Sequence, residues 1–333
     1  MNRFQQASLQ SFPPFRARDD VVAHDAALAV TARDLIDMAA SAGALQPLQS
    51  LTARARRAGG HLSRTRGRGM DYAESRAYQS GDDIRVMDWR VTARAGDPHT
   101  KLFREERERP VVAAVDLNPS MFFASRGALK AVQAARAAAL FGWAAVTQGD
   151  RIGALLFDHD HHEVPPRSGR SGILSVIREL VAHTDARSAL QLAPDPEGFN
   201  RALLRLRRLV RPGSLVILIS DFYGLDELSM PHLLYLRRHS EVIALRVLDE
   251  LELHAPPSGR YGVTDGRARH DIETVTPRDR ARYQEALAAH HAAVQQRLQR
   301  CGIALLQLTT EDTVGQAITS QLNTAPGQYR RAV

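Results

Sequence analysis

Two apolar runs that each end in an aspartate constrain this 333-residue chain more than any other feature. Val111-Val112-Ala113-Ala114-Val115 leads into Asp116, and Leu215-Val216-Ile217-Leu218-Ile219-Ser220 leads into Asp221. A continuous apolar run of this length, rich in β-branched residues, reads as a strand buried on both faces. Such strands belong to parallel sheets covered by helices. Further strand patterns fall near 152–157, 162–165, 241–247 and 303–308. Helical patterns fall near 128–147, 172–182, 199–210, 227–238, 277–300 and 312–322. Strands alternating with helices predict the α/β class: a doubly wound, mostly parallel sheet in three layers.

The pattern changes character at Pro110, which divides the chain into an N-terminal extension over 1–109 and an α/β domain over 110–325. In the extension, 19–45 reads as one helix or two. Residues 45–70 form a flexible basic loop, and 71–110 read as β-rich, with short strands at Ile84–Trp89 and His99–Phe103. Within the α/β domain a hairpin is expected over 260–273, with Asp265-Gly266 as its turn. Residues 326–333 read as a disordered tail.

Composition narrows the function classes. The single cysteine, Cys301, excludes a disulfide framework or a Cys-rich metal site, and it reads as a small buried side chain. The longest helical apolar stretch, 137–146, falls short of the roughly 20 residues a membrane span needs. With no secretory pattern at the N-terminus, the expected location is cytoplasmic. The formal net charge is +7, and nearly all the positive charge is arginine, since Lys101 and Lys130 are the only lysines. The arginines between Arg54 and Arg68 read as a solvated loop. Nucleic-acid binding is the alternative there, but no aromatic side chains interleave with them.

The strand ends carry the candidate chemistry. In open α/β sheets, ligands bind outside the carboxyl ends of the strands. Asp116, Asn118 and Ser120 alternate in the loop leaving the first run, and with Asp221 they offer hard oxygen ligands to Mg²⁺ or Mn²⁺. The plainer alternative is that both aspartates cap helices or hold their loops. Other groups carry weaker signals. His159, His161 and His162 surround Asp160 at a hairpin tip and read as solvated. Arg167–Gly172 reads as a plain loop before a helix, and His290 and His291 as surface residues. No phosphate-binding Gly-x-x-x-x-Gly-Lys motif and no Gly-x-Ser-x-Gly elbow occurs.

Asp116-x-Asn118-x-Ser120, with the later Ser220-Asp221-Phe222, resembles the metal-ion-dependent adhesion site of von Willebrand factor type A domains. The stretch 67–78, beginning Gly67-Arg68-Gly69-Met70-Asp71-Tyr72, makes the resemblance more specific. So do Gly81-Asp82-Asp83-Ile84-Arg85, Asp88-Trp89-Arg90, and Pro98 to Pro110. Together they resemble domain-of-unknown-function family 58, from the first helix to about Leu308. The resemblance implies a type A-like domain behind an N-terminal extension. It also implies partnership with MoxR-type AAA+ ATPases and other type A proteins in maturing protein complexes. Asn118 stands where the adhesion-site loop has its first serine. The family's threonine is expected where this chain reads Asp195-Pro196-Glu197-Gly198. Glu197 is the carboxylate expected to substitute; Thr184 or Ser188 would serve only if the loop folds back.

These readings lead to a non-enzymatic interaction module that grips partner carboxylates through Asp116, Asn118, Ser120, Asp221 and Glu197. One alternative is a metal-dependent phosphoesterase using Asp116 and Asp221. The other is nucleic-acid binding through 54–68. In the extension, Arg76, Asp82, Asp83, Arg85, Asp88 and Arg94 read as an ion-pair network that docks it on the α/β domain, with Trp89 as a packed anchor.

Overall fold

The computed structural model describes residues 26–45, 70–79, 87–105, 108–189, 195–264 and 269–323. Its centre is a six-stranded sheet. The strands are β3 (Pro110–Asp116), β4 (Arg151–Phe157), β5 (His161–Ser168), β6 (Leu215–Ser220), β7 (Glu241–Leu248) and β10 (Ala304–Thr309). Their spatial order is β10-β7-β6-β3-β4-β5. Only β5 runs antiparallel, against β4. Counting sheet strands along the chain, this is the 3-2-1-4-5-6 order of doubly wound folds, with its switch point between β3 and β6.

Side chains alternate across each strand, so the apolar runs feed two cores. Val111, Ala113, Val115, Ile217 and Ile219 face one layer. Val112, Ala114, Val216 and Leu218 face the other. The first layer holds α4 (Lys130–Thr147), α5 (Gly169–His183) and α11 (Val314–Asn323). Nearly all of α4 is buried, and its many alanines let the helix lie close on the sheet. The second layer holds α7 (Gly198–Leu209), α8 (Met230–His239) and α10 (Pro277–Arg300). α10 begins at Thr276, whose hydroxyl and the Asp279 carboxylate form a capping box ahead of Pro277. Short helices α6 (Ala186–Ala189) and α9 (Glu250–Leu253) and the hairpin of β8 (Arg260–Thr264) and β9 (Arg269–Glu273) complete this part. The expected turn Asp265-Gly266 lies outside the described residues.

The extension is not a separate body in its first part. Helices α1 (Ala32–Asp37) and α2 (Ala39–Ala42) place Val30, Leu35, Ala42 and Leu45 in the first core. Trp143 Nε1 on α4 donates to Leu35 O at 2.9 Å, and Arg136 Nη2 donates to Ala26 O at 3.0 Å. Further along, β1 (Met70–Ala77) pairs antiparallel with β2 (His99–Glu105). The basic segment 54–68 and the tail 326–333 lie outside the described residues.

Of the strand expected over Ile84–Trp89, residues 84–86 lie outside the described residues and Met87 bridges Thr100, but the end departs from expectation. Asp88 is the N-cap of a helix, α3 (Trp89–Ala95), and accepts from Arg90 N and Val91 N. Local capping therefore overrides the strand-like alternation. Trp89 becomes the first helical residue and stands 64% exposed, so it is not a packed anchor. The other Asp88 oxygen accepts from Ser75 Oγ at 2.8 Å, tying α3 to β1. Arg94 is exposed in the last turn of α3, and Arg76 Nη1 donates to Ala77 O. Asp82, Asp83 and Arg85 lie outside the described residues.

Candidate functional site

At the switch point, β3 and β6 run side by side and in parallel, with Val115 opposite Ile219. Their aspartates therefore leave the sheet together. Both are buried, Asp116 at 3% exposure and Asp221 at 1%. Asp116 is held by neutral donors. Asn118 N and Nδ2 donate to its Oδ1 at 2.9 and 2.7 Å, and Ser220 Oγ donates to its Oδ2 at 2.6 Å. Burial and the charge of Asp221 push the Asp116 carboxyl up to about 7, against the pull of these bonds.

Asp221 sits in a different field. Lys130, the first residue of α4, is fully buried. Its Nζ donates to Asp221 Oδ2 at 2.9 Å and to Glu252 Oε1 at 2.6 Å. Burial disfavours the Asp221 charge, yet the Lys130 ammonium and donors at Tyr223 N and Ser120 hold its carboxyl below the ordinary value. Burial also opposes the lysine charge, and the two carboxylates overcome it and raise its pKa. Glu252 is fixed in turn by a capping box on α9, where its Oε2 accepts from Asp249 N. Phe222 completes the turn at φ 62, a left-handed conformation unusual for a bulky residue. That turn brings Phe222 N to Ser220 Oγ at 2.8 Å and Tyr223 N to Asp221 Oδ1 at 3.1 Å. Phe222 is fully buried, and its ring packs edge-on against that of Phe199 at 5.9 Å between centroids, which holds the strained residue in place.

The structure thus unites Asp116, Asn118, Ser120 and Asp221 as the sequence expects. Glu197 is exposed at the start of α7 and makes no side-chain cap there. The carboxylate that reaches the rim is Asp195. A Cβ on Gly198 would lie 2.8 Å from Asp195 Oδ2 and 3.3 Å from Asn118 Oδ1, so both oxygens border one small space that only glycine leaves open. Asn118 Oδ1 is buried without a hydrogen-bond partner. Asp195 is ion-paired through both oxygens with Arg201, so the unpaired amide oxygen and the Asp116 carboxylate are the donors suited to a hard divalent cation, with Asp195 at their border. Thr184 is no substitute, since it ends α5 with its hydroxyl donating to Leu180 O at 2.6 Å.

The sequence does not mark Glu252 as a site residue and gives Lys130 no site role, although Lys130 carries a signal. It is one of two lysines in an arginine-rich chain, set at the head of an alanine-rich helix. Its compact ammonium, with three rotatable donors on a flexible stem, reaches two buried carboxylates at once. His290 and His291 are half-buried, contrary to expectation. The His290 ring stacks on Tyr223 at 4.5 Å, and burial together with Arg246 pushes its pKa down to about 4. His291 Nε2 lies 2.8 Å from Glu252 O. Cys301 is buried, as expected. A second group with metal-ligating chemistry lies at the sheet edge: Asp158, His162 and His183, whose ligand atoms fall within 4.8 Å of one another.

A six-stranded, mostly parallel sheet between two helical layers, with paired aspartates at its switch point, defines a doubly wound α/β domain. The chain belongs to the family described as "Protein of unknown function DUF58", whose model matches residues 74–293. It is 33% identical over 259 residues to the uncharacterized protein Mb1516 of Mycobacterium bovis, covering 76% of this chain and 78% of that one. The uncharacterized protein Rv1480 of Mycobacterium tuberculosis matches at the same identity and coverage. Among solved structures, the conserved hypothetical protein BatB of Bacteroides thetaiotaomicron aligns at a TM-score of 0.41 and 14% identity, over 64% of this chain and 97% of that one. An aerotolerance-related membrane protein of Bacteroides fragilis aligns at 0.41 and 14%, over 65% and 98%. Among the described residues of this chain, no helix is long and apolar enough to cross a membrane.

Proposed function

We propose that the strand-end rim is a docking site for an acidic side chain of a partner protein, and that the chain is an interaction module rather than an enzyme. Asn118 carries this reading: its amide oxygen is buried, unpaired and aimed at the space beside Asp195. Asp116, Asn118, Ser120 and Asp221 would hold Mg²⁺ or Mn²⁺, with Asp195 at the border. Such an ion supplies an open coordination position for a carboxylate. Lys130 orients Asp221 and keeps it ionised at the rim. The nearest hydroxyl to Asp116 belongs to Ser220, which is buried and already donates to Asp116 while accepting from Phe222 N. It is poorly placed to act as a nucleophile, which favours binding over phosphoester hydrolysis. The partners would be a MoxR-type AAA+ ATPase and other type A proteins, with the role lying in maturation of protein complexes.

Calorimetry with Mg²⁺ and Mn²⁺ tests the rim directly. The full chain should bind one ion, and Asp116→Asn should abolish binding while far-ultraviolet circular dichroism stays unchanged. Co-purification of the ATPase should fall in the same variant. Equal recovery of the ATPase with both proteins would remove the rim from the interaction.

A further inference from the structure

We propose a second, transition-metal site at the outer edge of the sheet, formed by Asp158, His162 and His183 and suited to Zn²⁺ or a similar borderline cation. It lies apart from the rim in both location and chemistry. Asp158 follows β4, His162 is the second residue of the edge strand β5, and His183 is the last residue of α5. Strand alternation separates His162 from its neighbour. His161 feels Arg201 and Arg205 of α7, whereas His162 stacks on His183 at 3.7 Å between ring centroids. One ligand atom from each residue of the triad lies within 4.8 Å of the others. Ligands around a tetrahedral zinc stand about 3.3 Å apart, given bonds of about 2.0 Å, so modest side-chain rotations close the triad.

The surroundings favour a cation there. His183 sits where the carbonyls of α5 end, the negative pole of that helix. Glu179, one turn earlier, brings Oε2 to 3.7 Å from His183 Nε2. Asp160 N donates to Asp158 Oδ1 at 2.6 Å and fixes the carboxylate. Two imidazoles and one carboxylate select zinc, copper, nickel or cobalt over the harder Mg²⁺ expected at the rim. The set also leaves one coordination position open. A bound ion would fasten the edge strand β5 to α5.

The test is titration of the metal-free full chain with Zn²⁺, read by calorimetry against a competing chelator. One Zn²⁺ should bind per chain. The double variant His162→Ala/His183→Ala should lose affinity by more than the ~10–100-fold typical of removing an outer-shell partner. Asp158→Asn, nearly isosteric and therefore safe for folding, should also weaken binding at least ~10-fold. Co²⁺ bound to the unsubstituted chain should give the intense visible bands of a four-coordinate site. Absence of Zn²⁺ binding overturns the proposal. So does Zn²⁺ binding that survives in both Asp158→Asn and the double variant but vanishes in Asp116→Asn, because the ion would then sit at the rim.

Discussion

Asp116 and Asp221 end neighbouring parallel strands in nearly the same way, yet their charges meet opposite fates. The side of the rim around Asp116 offers two hydroxyl or amide partners and a backbone N–H. The side around Asp221 offers the buried ammonium of Lys130, shared with Glu252. Burial is comparable, so the partner decides: a full opposite charge keeps Asp221 ionised, while neutral donors cannot do so for Asp116. The rim thus combines one carboxylate kept ionised by an internal ammonium and one with no internal counter-charge.

The largest effect should come from removing the internal cation. Lys130→Ala leaves two buried carboxylates without their partner and should cost about 3–5 kcal/mol. Urea unfolding measures it, and a loss under about 1 kcal/mol would mean that Asp221 is neutralised elsewhere. The paired aspartates should then diverge. Asp221→Asn should destabilise by about 1–3 kcal/mol, because it weakens a charge-assisted bond. Asp116→Asn should leave the metal-free protein equally stable or more so, because it removes a like charge from beside Asp221. Equal losses in the two variants would mean that the two carboxylates sit in equivalent fields.

The pH dependence sharpens the same comparison. The folded-state pKa of Asp116, about 7, lies above its ordinary 3.8, so between those values the native state binds more protons than the unfolded chain. Its contribution to metal-free stability therefore falls as pH rises from about 4 to 7. Asp221 has the opposite sign: its lowered pKa gives stability present above the unfolded value and lost on acidification through the folded one. Denaturation of wild type and Asp116→Asn at pH 5 and 8 should show a smaller decline in the variant. The smallest expected effect distinguishes the two carboxylates near α7. Asp195→Asn should weaken Mn²⁺ binding, and Glu197→Gln should leave it unchanged in the same calorimetric assay. The reverse result would place Glu197 in the site.

Much of the fold was legible because burial leaves a local mark. Apart from Ser220 at the end of the second, the runs before Asp116 and Asp221 carry no polar residue to suggest an exposed face, and each became a central strand flanked on both sides. Where local signals competed, pattern misled at one end: Met87 bridges Thr100 as a strand residue would, but Asp88 caps a helix and Trp89 turns outward. His162 illustrates a different limit. Its strand was foreseen, but its partner His183 arrives from the end of a helix that the chain reaches only later.

The sequence by itself determined the alternation of strands and helices and the placing of two carboxylates at strand ends, since both follow from short-range periodicity. Only the tertiary structure decided which carboxylate is neutralised. Lys130 meets Asp221 across 91 positions and Glu252 across 122. Proximity in the fold, with water excluded, makes those charges strong; along the chain nothing marks them as neighbours.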